Sequence, residues 1–231
     1  MLAKKNNCED RFILIDFFCH GVPSYLLWTS FLKWFKDKKH VSKITGIQFR
    51  NKKYGWHNHT MKIDTENKSY YLKRKDNPFY TLFCSNFLLN NACYLCNSKM
   101  SFYFADIRIG DFWGSPFDDR EDGVSVIALF SDKGKSLIEN LEQEKKITLI
   151  RQSHNICMKN QVSFNKFSFN LYQQKQSMLN LLKAGKDIMF VAKEYVKTIP
   201  LGKKILLAVI NTMPDFIIRK IRKIYHIYKE K

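Results

Sequence analysis

The stretch Asn91–Gly114, NACYLCNSKMSFYFADIRIGDFWG, decides how the chain is read. It opens with the pair Cys93-x-x-Cys96, and nine residues then separate Cys96 from Asp106. Asp106 starts the apolar alternation Ile107-Arg108-Ile109, which breaks at Gly110 before Asp111-Phe112-Trp113-Gly114 closes the segment. A period of two ending in a glycine-flanked aspartate predicts a strand that delivers a site at its C-terminal edge. The cysteine pair beside it supplies two soft ligands or a redox couple. A second stretch, Asp16-Phe17-Phe18-Cys19-His20-Gly21-Val22-Pro23-Ser24, reads as another strand that ends in a Cys-His-Gly turn. Two strand ends, each bearing sulfur and tight-turn residues, predict one composite site in which Cys19, Cys93 and Cys96 meet.

Outward from these stretches, Phe12 to Phe18 is a nearly continuous apolar run suited to a buried strand. Ser24 is a natural N-cap for a helix that places Leu26, Leu27, Phe31, Trp34 and Phe35 at helical spacing. Strands are expected over Ile44 to Phe49, Thr60 to Ile63 and Tyr70 to Lys73. Asn77 and Pro78 resemble an N-cap and first helical position for a helix reaching Leu89. Beyond Gly114, an acidic turn precedes a strand from Val124 to Phe130. A helix from Lys135 to Gln143 and a further strand from Ile147 to Ile150 follow. This order favours an α/β domain, a mixed sheet with flanking helices, over residues 1–160. From about Val162 the pattern is helical to the end, so residues 161–231 read as a helical, basic C-terminal extension.

The sequence has 231 residues, is 45% hydrophobic and 26% charged, and can therefore build a core. No uncharged apolar run long enough for a membrane-spanning helix occurs, and the start lacks a secretory signal, so a cytoplasmic protein is expected. Its six cysteines are then expected as thiols or metal ligands rather than disulfides. The net charge is +18, and of the 39 basic residues eight are arginine, leaving 39 − 8 = 31 lysines. Such charge attracts nucleic acid, anionic lipid or acidic proteins alike. Lys-, Asn-, Ile- and Phe-rich usage is equally what an AT-rich coding sequence gives. No nucleic-acid-binding motif accompanies the lysines, so no specific nucleic acid partner is expected.

Taken together, these motifs resemble the C-terminal domain of the coenzyme F420 hydrogenase/dehydrogenase beta subunit family. The resemblance rests on Asp16 to Ser24 with Leu27-Trp28, and on Ile47-Gln48-Phe49-Arg50-Asn51-Lys52 with Gly55-Trp56. It continues through Cys93-Tyr94-Leu95-Cys96, Ala105-Asp106-Ile107, Ile109 to Gly114, and Asp122-Gly123-Val124-Ser125. They occur in the family's order from about residue 10 to 135. The resemblance implies a redox protein passing electrons between a flavin (FAD), a [4Fe–4S] cluster and a small carrier, which in archaeal members is the deazaflavin coenzyme F420. Bacterial relatives point to surface polysaccharide biosynthesis. Tyr103, Asn90 and Asn51 depart from the family's usual Arg, Arg and Asp. The family's N-terminal half does not appear in this sequence. A protein partner supplying that half, or a redox partner, is therefore expected.

On this reading Cys19, Cys93 and Cys96 are the expected cluster ligands, with Cys84 or a residue of the other half as the fourth; the alternative is unligated buried thiols. Cys19, His20, Asp106, Asp111, Phe112 and Trp113 are the expected cofactor-binding residues. The alternatives are turn-capping for the aspartates, ring packing for the aromatics and simple hydrogen bonding for His20. Trp56, His57 and His59 share a loop and give a weaker metal signal. In the tail, Ile217, Ile221, Ile224 and Tyr228 repeat at helical spacing among lysines and arginines, a pattern for peripheral attachment to an anionic membrane or for packing on the domain. The favoured function is a flavin- and iron–sulfur-linked oxidoreductase or electron-transfer subunit. The alternative is a catalytically degenerate accessory protein that binds a partner or an anionic membrane surface.

Overall fold

The protein is described by a computed structural model over residues 6, 9–99, 105–114, 116–117, 119–158, 161, 169–198, 201–213, 217 and 220. Its elements run β1 (Ile15–Phe17), α1 (Tyr25–Lys39), β2 (Ile44–Asn51), β3 (Thr60–Thr65), β4 (Ser69–Lys73), α2 (Pro78–Phe83) and α3 (Asn91–Tyr94). They continue with β5 (Ile107–Asp111), β6 (Ser125–Leu129), α4 (Asp132–Gln143), α5 (His154–Met158), α6 (Phe169–Lys183), α7 (Ile188–Thr198) and α8 (Leu201–Thr212). The expected amphipathic stripe of the tail lies outside the described residues, apart from Ile217. No described helix is long and apolar enough to cross a membrane. The elements form two compact units, one of Met1–His20 with Cys96–Asn165 and a second of Gly21–Leu95 with Lys166–Lys231.

In the second unit, helix α1 starts where the sequence places its cap. The Ser24 hydroxyl accepts the Leu27 amide at 3.2 Å, and Leu27, Phe31, Trp34 and Phe35 form the buried stripe. Lys36, Lys38 and Lys39 meet the negative end of the helix dipole, and His40 ends the helix in the left-handed region at φ 52°. The antiparallel sheet β2-β3-β4 lies beside it, with Ile63 opposite both Ile47 and Tyr70. Met61, Ile63 and Leu72 point from one face of the sheet into the core formed with Phe31, Phe35 and Phe79. Met178 and Leu182 of α6, with Ile188, Val191 and Ala192 of α7, complete the same cluster.

Helix α2 begins at Pro78 behind the Asn77 cap as expected but ends at Phe83, short of Leu89. Local side-chain bonds stop it. The Ser85 hydroxyl donates to the Leu82 carbonyl at 2.5 Å and accepts the Phe87 amide at 3.2 Å, and Asn86 turns left-handed at φ 67°. The turn drives Phe87, Leu88 and Leu89 inward, where they are buried.

The first unit carries the mixed sheet β1-β5-β6, in which β1 runs parallel to β5 and β6 antiparallel to it. Gly110 does not break β5. The Phe18 ring occupies the space a side chain would need, 2.9 Å from where a Cβ would stand. The expected buried strand at Phe12 to Phe18 is corrected on two counts. Strand β1 spans three residues, and Ile15 and Phe17 are 55% and 64% exposed. Among the described residues β1 has β5 as its one strand neighbour, so it is an edge rather than an interior strand. Ile147 to Ile150 is likewise not a strand, because no described strand pairs with it, and Ile150 faces solvent.

Candidate functional site

In the first unit the two cysteine-bearing stretches are tied to one side chain, Arg108. It projects from β5 and is 2% exposed. Its Nε donates to one Asp16 carboxylate oxygen at 2.7 Å, and a terminal nitrogen donates to the other, making a bidentate pair. The same terminal nitrogen donates to the Ser98 carbonyl at 3.2 Å. The guanidinium also lies 5.7 Å from the centre of the Phe18 ring. Arg108 thus holds Asp16 and Phe18, just before Cys19, and Ser98, just after Cys96. Sequence reasoning did not select it. The available signal was a charged residue between Ile107 and Ile109, matched by a single acid inside the apolar run of β1.

Asp106 is nearly buried and fully engaged. The Leu14 amide donates to it at 2.7 Å, the Ser131 hydroxyl at 2.5 Å, and Lys133 pairs with it at 3.4 Å. Burial alone would raise its pKa. The hydrogen bonds from Leu14 and Ser131 and the Lys133 ammonium outweigh that and hold it below the usual 3.8. Its carboxylate joins the start of β1 to the N-cap of α4, where Ser131 also accepts the Gly134 amide at 3.2 Å.

Asp111 is half-buried at the end of β5, and its carbonyl accepts the Gln161 side-chain amide at 3.0 Å. Phe112 is buried in a T-shaped contact with Phe117, with ring centres 5.0 Å apart. Cys19, His20 and Trp113 are half-buried, whereas Cys96 is exposed.

In the second unit the bridge between Pro23 and Leu89 sets the chain after the Cys-His-Gly turn beside the one that leads into the cysteine pair. The Ser24 amide donates to the Leu88 carbonyl at 2.8 Å and the Asn90 amide to that of Val22 at 2.7 Å. Gly21 stands here at φ 137°, a conformation that residues with a Cβ rarely adopt, so the turn favours glycine. The Cys93 sulfur then accepts the Val22 amide at 3.2 Å. Asn90, where the resemblance leads one to expect arginine, caps α3 by accepting the Ala92 amide at 3.0 Å.

A cation arrives here from α6, within the stretch that the sequence reads as helical, although no sequence signal singled out this lysine. Lys175 of α6 is 1% exposed, hydrogen-bonds Asn91 Oδ1, and lies 4.1 Å from the centre of the Tyr94 ring. Burial pulls its pKa down, partly offset by the charge of Cys93. Tyr94 is pushed up to about 12, mainly by burial, and its hydroxyl donates to the Asn86 carbonyl at 2.6 Å.

Cys84, at the end of α2, keeps an exposed edge, yet the atoms packed around its sulfur push its thiol pKa up. Within the histidine loop, His59 Nδ1 lies 3.1 Å from the Trp56 carbonyl. Among the described residues, no three His, Cys, Asp or Glu side chains converge on a point that would hold a metal ion. Cys19 and Cys96 belong to the first unit, and Cys84 and Cys93 to the second.

No curated protein and no solved structure matches the chain. A family model does match, over residues 1–154, and it describes the C terminus of the beta subunit in coenzyme F420 hydrogenase/dehydrogenase. The matched span holds both cysteine-bearing stretches, the Arg108–Asp16 pair and the Asp106 junction. The chain therefore belongs to the family of redox-related C-terminal domains found in the coenzyme F420 hydrogenase/dehydrogenase beta subunit.

Proposed function

We propose that the protein is an electron-transfer subunit, linked to a flavin and an iron–sulfur cluster, that completes its cofactor site with another subunit. The carrying observation is the Val22 amide held 3.2 Å from the Cys93 sulfur. Hydrogen bonds to cluster sulfurs are one of the means by which proteins set a cluster's potential. A fixed ammonium nearby, Lys175, suits the negative charge of a thiolate-ligated cluster. The donor set is incomplete among the described residues, which is why the reading calls on a partner for further ligands. The local pair Cys93-x-x-Cys96 is the proposed contribution of this chain. A bound flavin would supply the exchange between two- and one-electron chemistry. Arg108 would keep the chain around Cys19 and Cys96 in place, and Asp111 and Trp113 lie at the end of the strand beside them.

The test is anaerobic reconstitution of the full chain with ferrous iron and sulfide. Iron content and absorption near 400 nm are measured for the native chain, Cys93→Ala and Cys96→Ala. Substoichiometric iron that disappears in either variant is expected. Iron binding unchanged in both variants would remove the cysteine pair from the site. A full [4Fe–4S] complement in the chain alone would remove the need for a partner.

A further inference from the structure

The sheet β2-β3-β4 has a second face, turned away from its core, that the redox site does not use. Strand register places Gln48, Lys62 and Tyr71 in one row across it, with Asp64 and Ser69 in the next. The carboxylate on this face is already engaged, since Asp64 pairs with Lys62 at 2.8 Å and accepts the Ser69 hydroxyl at 2.5 Å. What the face adds around that pair is positive charge held on aromatic rings. Lys53 reaches from the loop after β2 to lie 4.1 Å from the centre of the Tyr71 ring. Lys73 of β4 lies 5.4 Å from Tyr54, whose ring meets Tyr71 edge-on at 6.3 Å.

These rings seat cations. Tyr71 is half-buried beneath Lys53, and Tyr54, 45% exposed, carries Lys53 at 5.7 Å and Lys73 at 5.4 Å from its ring centre, so base stacking on this face is weighed by the oligonucleotide arm of the test. Holding a lysine against a ring restricts its rotamers before binding, which lowers the entropy cost of an ion pair made there. Tyrosine, here Tyr54 and Tyr71, is also among the residues enriched at protein–protein interfaces. We propose that this face docks an acidic surface of a protein partner, with carboxylates of the partner meeting Lys53 and Lys73. The class of partner rests on the subunit reading above; the location and charge of the surface rest on the sheet itself.

The probe is a synthetic peptide of Asp and Glu with one Tyr, titrated by fluorescence anisotropy into the full chain. A single-stranded oligo-dT of matched charge is titrated in parallel. Neither titration requires iron or flavin, so failure of the cofactor reading leaves this result untouched. Salt-sensitive peptide binding is expected, weakened at least about tenfold by Lys53→Glu with Lys73→Glu and less by the paired Gln variants. The control pair Lys183→Glu with Lys186→Glu, exposed elsewhere in the same unit, should stay within about twofold. Circular dichroism checks that each variant is folded. Equal losses in the two charge-reversed pairs would mean diffuse attraction to a basic chain and overturn the assignment. Tighter binding of the oligonucleotide, or no peptide binding at low salt, would overturn it as well.

Discussion

Removing Asp16 should harm the first unit more than removing its partner Arg108, although one ion pair is lost either way. The reason is unequal burial: the Arg108 side chain is 2% exposed and that of Asp16 is 37%. Asp16→Ala leaves a guanidinium that is always charged and almost without water, a situation that costs about 3–5 kcal/mol. Arg108→Met leaves a carboxylate that water reaches and screens, so the loss there should be about 1–2 kcal/mol. Replacing both, as Asp16→Leu with Arg108→Met, removes the stranded charge and should cost less than Asp16→Ala alone. Hydrogen-exchange mass spectrometry on peptides spanning β1 and β5 reports opening of this unit separately from the other. Each 1.4 kcal/mol is about a tenfold change in protection, so Asp16→Ala should lose about two to four orders of magnitude. If Arg108→Met proved the more damaging change, or the double variant the worst of the three, desolvation would not be the governing term.

Gly134→Ala places a Cβ 2.6 Å from the Asp106 carbonyl oxygen, which is backbone and cannot turn aside. A loss of about 1–3 kcal/mol is expected, with the reduced protection centred on β5 and α4 in the same exchange experiment. Asp106 titrates below its ordinary 3.8 in the folded chain, so its contribution is whole above that value. It is lost as pH falls from there through the depressed folded value, and Asp106→Asn should flatten this acid limb of stability against pH. The Cys84 thiol is raised above 9.0 by burial, so at pH 8 iodoacetamide should label it more slowly than a free cysteine peptide. The difference should shrink on unfolding in urea; fast labelling of the native chain would contradict the burial argument.

Local signals carried a good part of the fold. Ser24 and Asn77 could be read as caps because an acceptor side chain followed by a helical stripe satisfies end amides with no help from elsewhere. The alternation in β3, β4 and β6 was legible for the same reason. What failed was decided by neighbours. The run Phe12 to Phe18 reads as buried from composition, yet burial depends on how many strands flank it, and β1 is an edge. Gly110 reads as a breaker until Phe18 is seen to fill its side-chain space. The stop at Phe83 turns on competing bonds from Ser85, which no periodicity reveals. At the candidate site the cysteines announced themselves by spacing. Lys175 did not, because nothing in its own helix distinguishes it from a surface lysine.

Lys175 also bears on what the residues beyond the family match are for. The match ends at residue 154, but the core of the second unit does not. Met178, Leu182, Ile188, Val191 and Ala192 are buried in one cluster with Leu27, Phe31 and Phe35 of α1 and Met61 and Ile63 of β3. A buried aliphatic side chain of this kind contributes about 1.5–3 kcal/mol, so losing α6 and α7 would exceed the margin by which most domains are stable. These helices are therefore part of the body that presents Cys93, and the ammonium beside α3 comes with them. A chain cut at the end of the family match would keep every cysteine of the motif and lose the packing that holds α3 in place. Sequence similarity marks where the family's span lies, and the hydrophobic cluster marks what must be present for the unit that carries Cys93 to stay folded.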